Sequence, residues 1–168
     1  MEVGITDRAS AAVIAADAVA ELLSRKPDLV IGIATGSTPL ALYAELAARR
    51  TQGRLPGCAR LTSFALDEYV GIDLGHPQSY HQVVAREWTA PLALRHDLVH
   101  VPSASAETLD TAGPRCEAAI RAAGGIDVRA ALPDPDATDS ARGRRRRDDL
   151  PFRAVPVALR RFGACTPG

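Results

Sequence analysis

The chain has 168 residues, of which 46% are hydrophobic and 24% charged, and its formal net charge is zero. This length predicts a single domain with a real core, and the neutral balance gives no sign of a nucleic acid or a membrane surface as partner. Since no apolar run approaches the ~20 residues that span a bilayer, and the first ten residues show no signal-peptide pattern, we expect a cytoplasmic protein.

The first elements in the chain are a short strand at 3–5, a helix at 7–25 and a strand at 29–34. The helix is predicted because large apolar residues recur at helical spacing until Pro27 prevents its continuation. The second strand is β-branched without polar alternation, which is typical of a strand buried on both faces of a parallel sheet.

A turn at 35–38 then leads into a second helix that runs to about Arg50. Thr38 is the expected N-cap and Pro39 the expected first helical residue, since both residue types favour those positions. The later elements follow in chain order: a strand at 61–66, acidic residues at 67–68, a loop at 71–77, a helix at 80–88, a strand at 98–101, a helix within 105–123 and the start of a strand at 126–128. Alternating strands and helices predict an α/β fold, a parallel sheet with helices on both faces.

The composition changes after Val128. Residues 129–168 contain nine Arg, five Asp, five Pro and seven Ala, and only 155–162 has the pattern of a short helix or strand. We expect this tail to be irregular or disordered, because it carries too little apolar surface to offset the entropy of ordering. The predicted organisation is therefore a partial α/β domain at 1–128 followed by the tail.

The turn after the strand at 29–34 has the character of an anion site. Thr35, Gly36, Ser37 and Thr38 are small, and the helix that follows presents free backbone N–H groups and the positive end of its dipole. No Lys follows the turn, so it is not a nucleotide P-loop. These residues predict a site for a phosphate monoester, and the alternative is an ordinary capped helix start.

Two adjacent acids, Asp67 and Glu68, directly follow the strand at 61–66. The carboxyl ends of parallel strands share one edge of a sheet, so these acids should lie near the turn at 35–38. A carboxylate placed there is suited to act as a general base on a carbon acid next to a carbonyl. The alternative is that the acids cap the next element.

The cysteines and histidines have no metal-binding spacing, and we expect no metal site. The cysteines should be free thiols in a reducing compartment. The histidines are expected to be solvated loop or surface residues. These residues are Cys58, Cys116 and Cys165, and His76, His81, His96 and His100.

The order ATGSTP, LDEYVG, HPQSY and AAGGID resembles the glucosamine-6-phosphate deaminase family over about residues 1–128. The resemblance implies a Rossmann-like fold and conversion of glucosamine 6-phosphate to fructose 6-phosphate and ammonia by a hydrolase or isomerase without a cofactor. It further implies that Gly36, Ser37 and Thr38 hold the phosphate. Asp67 would shuttle a proton between C2 and C1, with Glu68 as a supporting residue. A homo-oligomer is left open, and the related 6-phosphogluconolactonases are the alternative family.

The chain departs from the family after residue 128. The glycine-rich G-H-I-G-F-N-E-P segment, which in the family supplies the ring-opening His, is absent, and RAALPDPDATDSARGRRRRDDLPF stands there instead. We hypothesise that the tail is an out-of-frame reading of a GC-rich gene, which sequencing across codons 125–130 tests. On this hypothesis the activity of the chain is very low.

Two other readings are open. The first alternative hypothesis is a sugar-phosphate-binding module without catalysis. The second is a nucleic-acid binder that uses Arg142 and the arginine cluster at 144–147. The second of these is weakest, because no aromatic residues interleave the arginines as base stacking requires.

Overall fold

The computed structural model describes residues 7–37, 39–103, 108–130 and 154–156. The helices are α1 (Arg8–Arg25), α2 (Leu40–Thr51), α3 (Tyr80–Val84) and α4 (Leu109–Ala122), with a π-helical turn at Ala85–Thr89 and a 3₁₀ turn at His96–Leu98. The strands are β1 (Val30–Ile33), β2 (Thr62–Ala65), β3 (Asp67–Tyr69), β4 (Val99–His100), β5 (Val128–Ala130) and β6 (Ala154–Pro156). No helix among these residues has the length and apolar character needed to cross a bilayer.

Four strands form a parallel sheet in the order β4–β2–β1–β5. Ile31 lies opposite Ser63 of β2 on one side and opposite Val128 of β5 on the other. The chain therefore moves outward from β1 through β2 to β4 and then returns to the far side of β1. Such a reversal places a crevice at the carboxyl ends of the central strands, where open α/β sheets bind ligands.

Helices cover both faces of this sheet. Ile31 and Ile33 of β1 point into a core formed with α1, α2 and the buried Trp88. Val30 and Phe64 point to the opposite face, where they pack against α4. Because successive side chains of a strand alternate between faces, a continuous apolar strand needs a helix on each side. The predicted α/β architecture is confirmed.

The predicted elements agree closely with those observed. Helix α1 begins at Arg8, and the carboxylate of Asp7 accepts hydrogen bonds from the backbone N–H groups of Ala9 and Ser10 at 2.9 and 3.0 Å. Helix α4 is followed by Gly124 and Gly125, whose φ angles of +88° and +98° suit glycine. The predicted strand at 3–5 lies outside the described residues.

Three predictions differ from the structure in detail. Pro39 occupies the cap position of α2, one residue earlier than the first helical residue predicted, while the predicted cap Thr38 lies outside the described residues. The predicted helix at 80–88 is α-helical only through Val84 and then widens into the π-helical turn. The backbone hydrogen bond from Ala90 N to Ala85 O, at 3.0 Å, closes that wider turn.

The acidic residues 67–68 follow the predicted strand at 61–66, as expected, but they form part of a further strand. They belong to β3, which pairs antiparallel with β6 outside the main sheet. The chain leaves the parallel sheet at Leu66, and the backbone of 67–69 then finds its partner in the tail. Part of the stretch 155–162 is thus a strand, in β6. Residues 129–130 of the predicted tail are in strand β5, and the tail residues outside β5 and β6 lie outside the described residues.

Candidate active site

The turn and the acid predicted from the sequence meet at the carboxyl edge of the sheet. Ile33 and Ala65 are register partners at the ends of β1 and β2, so the residues two positions further along each chain lie side by side. The hydroxyl of Thr35 donates a hydrogen bond to Oδ1 of Asp67 at 2.6 Å. The placement that the sugar-phosphate hypothesis requires is therefore present.

The turn between β1 and α2 is open to solvent on one side and is held by core residues on the other. Gly36 has a φ of +112° and open space around the position of a side chain, and Ser37 is exposed. The buried Tyr43 of α2 donates its hydroxyl to the carbonyl of Ala34 at 2.6 Å, and its ring lies 4.7 Å from that of Trp88. The core thus holds the turn against the start of α2, where an anion can approach the backbone closely.

Two tyrosines complete the surroundings of Asp67. The hydroxyl of Tyr80 donates a hydrogen bond to the hydroxyl of Tyr69 at 3.2 Å, and the Thr35 side chain lies next to Tyr80. Burial raises the pKa of Tyr80 far above its ordinary value, and the neighbouring Tyr69 and the charge of Asp67 raise it further. Tyr80 therefore stays a neutral phenol that can donate or accept a hydrogen bond near the carboxylate.

Glu68 has a different role from its neighbour. Its side chain is fully buried, and Oε1 accepts hydrogen bonds from the backbone N–H groups of Tyr69 and Tyr80 at 2.8 and 2.9 Å. Oε2 accepts from the backbone N–H of His81 at 3.1 Å and lies 2.9 Å from its Nδ1. Glu68 thereby caps α3 and ties it to β3.

The pKa of Glu68 follows from this environment. Burial alone raises the pKa, but the hydrogen bonds from the His81 side chain and from three backbone N–H groups outweigh burial and hold it below its ordinary value. Glu68 therefore remains a carboxylate near neutral pH. A buried charge satisfied in this way is suited to structural support.

The expectation that all four histidines are solvated is wrong for two of them. His81 contacts the buried Glu68 because it lies in the first turn of α3, beside the capping carboxylate. The ring of His100 stacks on Phe64, with centroids 4.5 Å apart, and burial lowers the pKa of His100. His96 is exposed as expected, and His76 is partly buried.

The cysteines and the possible metal ligands were also assessed from the sequence, and the structure describes two of the three cysteines. Cys58 is buried and Cys116 partly buried, and both are free thiols, as predicted. No group of three or more His, Cys, Asp or Glu side chains that could hold a metal ion occurs in the described part of the chain.

The residues that sequence reasoning missed are the tyrosines. Tyr43 contacts the turn, and Tyr69 and Tyr80 lie beside Asp67, but none of the three was among the predicted site residues. The available signal was the position of Tyr80, the first residue of a helix that begins soon after the acidic strand. A helix start at the same edge of the sheet brings its first side chains toward the crevice.

Together, the fold and this edge define an α/β domain of the doubly wound class, with a ligand crevice at the carboxyl ends of its parallel strands. A family model described as "Glucosamine-6-phosphate isomerases/6-phosphogluconolactonase" matches residues 6–138. The chain therefore belongs to the glucosamine-6-phosphate isomerase and 6-phosphogluconolactonase family, and the resemblance noted in the sequence is confirmed.

Relatives in this family are named as deaminases. The glucosamine-6-phosphate deaminase of Arthrobacter sp. (strain FB24) is 50% identical over 115 residues, which are 68% of this chain and 44% of the relative. The protein of the same name from Streptomyces avermitilis is 42% identical over 129 residues, or 76% of this chain and 49% of the relative. The chain thus spans about half the length of the curated relatives it matches.

Solved structures agree with this assignment. A monomeric glucosamine-6-phosphate deaminase superposes with a TM-score of 0.72 at 28% identity, over 77% of this chain and 54% of that chain. The 6-phosphogluconolactonase of Thermotoga maritima gives a TM-score of 0.61 at 22% identity, over 74% and 56% of the two chains. The second likeness shows the fold alone.

Proposed function

We propose that this chain is a glucosamine-6-phosphate deaminase in kind, which converts glucosamine 6-phosphate to fructose 6-phosphate and ammonia. The observation that carries the proposal is the 2.6 Å hydrogen bond from Thr35 to Asp67, since it fixes a carboxylate beside the open turn. The names of the relatives support deaminase and isomerase chemistry, and they give no support to the description as a hydrolase.

The phosphate of the substrate is held, in this proposal, by Gly36, Ser37 and Thr38. The positive φ of Gly36 and the open space beside it let a phosphate oxygen approach the backbone. The start of α2 adds the positive end of the helix dipole. Anchoring the phosphate orients the opened sugar toward Asp67 and so turns the proton transfer into an intramolecular step.

Asp67 is the proposed catalytic base. It removes the proton from C2 of the ring-opened aldose, and the electron pair shifts onto the C1 carbonyl oxygen, which takes a proton from water to give an enolamine. Return of that proton to C1 yields the imine of the ketose, and addition of water to the imine releases ammonia. One carboxylate serves both transfers because C1 and C2 are adjacent. Glu68 supports this geometry by holding β3 against α3.

The proposed partner is this small-molecule substrate, with no nucleic acid or membrane, and a homo-oligomer stays open. The proposed compartment is the cytoplasm, since phosphorylated sugars are charged and do not cross membranes unaided. The predicted boundary at residue 128 and the out-of-frame origin of 129–168 also stay proposals. The family model matches ten residues beyond that boundary, to residue 138.

A second candidate is a sugar-phosphate-binding module without turnover. The observation that favours it is the sequence after Val128, which contains no segment like the one that supplies the ring-opening histidine in the family. The turn at 35–37 and α2 would then bind the phosphate, while the opening of the sugar ring would lack its acid.

Ammonia release from glucosamine 6-phosphate, with binding measured in parallel by calorimetry, separates the two candidates. Turnover that Asp67→Asn abolishes, and that Asp127→Asn leaves intact, supports the deaminase. Binding without turnover supports the module. Absence of both binding and turnover contradicts the proposal, and hydrolysis of 6-phosphogluconolactone alone would move the chain to the other branch of the family.

A further inference from the structure

We propose that Thr35 is a positioning residue for Asp67, backed by Tyr80, and that the phosphate seat begins at Gly36. This inference rests on the proposed function, because it divides the predicted four-residue anion turn into two parts with different tasks. The hydroxyl of Thr35 serves the base, and only the residues after it serve the phosphate.

The first argument is the number of donors on a threonine hydroxyl. The Thr35 hydroxyl carries one proton, and the structure directs it to Oδ1 of Asp67 at 2.6 Å. A phosphate dianion needs donors, whereas the remaining lone pairs of the Thr35 oxygen would face it as acceptors. As long as Asp67 is a carboxylate, the Thr35 side chain is therefore a poor phosphate ligand.

The second argument is that the Thr35 hydroxyl lies in a series of hydroxyls beside Asp67. The Thr35 side chain lies next to Tyr80, which burial keeps as a phenol, and the Tyr80 hydroxyl donates a hydrogen bond to the hydroxyl of Tyr69 at 3.2 Å. Three hydroxyls thus form a connected series beside one carboxylate, and hydrogen bonds in such a network strengthen one another.

The third argument is that this series is anchored in two elements that are locked together. Asp67 and Tyr69 lie on β3, and Tyr80 is the first residue of α3. The buried Glu68, between them on β3, binds the backbone N–H of Tyr80 at 2.9 Å. The rings of Tyr69 and Tyr80 also pack with centroids 4.7 Å apart. The hydroxyl series therefore has a fixed geometry.

The consequence concerns the direction of the carboxylate. A hydrogen bond to Oδ1 fixes the rotation of the Asp67 side chain and hence the direction of Oδ2. A base that serves two adjacent carbons needs its oxygens held within a fraction of an ångström. Thr35 supplies that restraint from the turn after β1, and Tyr80 borders the carboxylate from the start of α3.

The test uses the full chain with Thr35→Val, which removes the hydroxyl but keeps the shape, and Thr35→Ser, which keeps the hydroxyl. The titration of the Asp67 carboxyl is followed by carbon-13 NMR, and affinity for inorganic phosphate is measured by calorimetry. Thr35→Val should move the Asp67 titration upward by ~1 pH unit, because a hydrogen bond to the carboxylate is lost. Its phosphate affinity should stay within about twofold of the wild type. The other titratable groups nearby, Glu68, Tyr69 and Tyr80, are unchanged in these variants.

Thr35→Ser should restore the wild-type titration. If Thr35→Val weakens phosphate binding by about tenfold and leaves the Asp67 titration in place, Thr35 belongs to the phosphate seat and the proposal is wrong. An unchanged titration together with unchanged binding would also contradict it.

Tyr80→Phe tests the second part of the series. It should shift the Asp67 titration in the same direction as Thr35→Val but by less, with Tyr43→Phe as a matched control that touches the turn through the Ala34 carbonyl instead. An Asp67 titration that is the same in Tyr80→Phe and wild type would remove Tyr80 from the proposal. Neither readout needs turnover, so these outcomes remain distinct from a failure of the deaminase assay.

In an active chain, kinetics give an independent readout. Thr35→Val should then lower kcat and leave KM unchanged, and Thr35→Ser should recover kcat. A rise in KM at constant kcat would instead assign Thr35 to substrate binding and overturn the positioning role.

Discussion

The two edges of the parallel sheet each carry an aspartate at a strand end, and the two aspartates are held in opposite ways. At the amino edge, Asp127 precedes β5 and accepts a hydrogen bond from the backbone N–H of Val30 at 2.8 Å, while Lys26 lies 2.7 Å from its Oδ2. At the carboxyl edge, Asp67 follows β2 and accepts from the hydroxyl of Thr35.

The difference fits the proposal that the same residue type serves structure at one edge and chemistry at the other. The carboxylate of Asp127 is bound by the ammonium of Lys26 and by the backbone N–H of Val30, and these bonds join β1 to β5. A hydroxyl orients a carboxylate without neutralising its charge, so Asp67 can still accept a proton. The amino edge thus stabilises the sheet, and the carboxyl edge keeps the proposed base in place.

Exchanging the two aspartates for asparagine, one at a time, should give the largest difference between the edges, which is a difference in the rate of ammonia release. Asp67→Asn removes the general base and should lower ammonia release by about 10²–10⁴-fold, while affinity for inorganic phosphate persists. Asp127→Asn should leave the rate unchanged within about twofold, because its amide oxygen can still accept from Val30. Comparable rate losses in both variants would contradict the division between the edges.

The next largest effect is expected at Glu68, which supports the carboxyl edge. Glu68→Gln places an amide NH₂ against the N–H and ring of His81 and should lower the free energy of unfolding by roughly 3 kcal/mol, measured in urea. Glu21→Gln on the exposed face of α1 is the matched control, with an expected change under about 0.5 kcal/mol.

Acid unfolding gives a second measurement at Glu68. Its pKa in the folded protein is below the ordinary value of 4.5, so its contribution is fully present above that pH and is lost as the pH falls toward the lowered pKa. The difference in stability between wild type and Glu68→Gln should therefore shrink below about pH 4.5. A difference that stays constant to low pH would show that the charge of Glu68 does not stabilise the fold.

Much of this architecture could be predicted from the sequence, because local rules and the fold agree over the first 130 residues. Asp7 caps α1, the β-branched run gives β1, and Gly124 ends α4, each as its residue type favours. The approach of Thr35 to Asp67 was also predictable, since parallel strands in register bring the residues after them together.

The parts that the sequence did not predict depend on partners distant in the chain. Asp67 and Glu68 are in a strand because their backbone pairs with residues 154–156, and nothing local indicates that pairing. His81 is held by Glu68, thirteen residues earlier, only because α3 begins beside β3. Tyr80 likewise acquires its place near Asp67 from the packing of two short elements.

At the amino edge we expect a smaller effect from removing the carboxylate altogether. Asp127→Ala takes a hydrogen bond from the N–H of Val30 and an ion pair from Lys26, and should cost about 1.5 kcal/mol of unfolding free energy. Burial raises the pKa of Asp127, but the hydrogen bonds from Lys26 and Val30 outweigh it, and the net pKa is below 3.8. This contribution should therefore persist above pH 3.8 and fade below it. A cost equal to that of Glu68→Gln would mean that the two edges do not differ in stability.

The smallest expected effect is that of Lys26→Met, which separates the two contacts of Asp127. The ammonium of Lys26 lies 2.7 Å from the carboxylate, yet 45% of its side chain is exposed, so water and salt screen the pair. Methionine keeps the apolar stem, and the loss should be about 0.5 kcal/mol, decreasing further in high salt. Urea unfolding at low and high ionic strength measures it. If Lys26→Met matched the loss in Asp127→Ala, the ion pair and not the Val30 hydrogen bond would join β1 to β5. A smaller loss assigns that junction to the hydrogen bond from the Val30 N–H to the Asp127 carboxylate, which salt screens less.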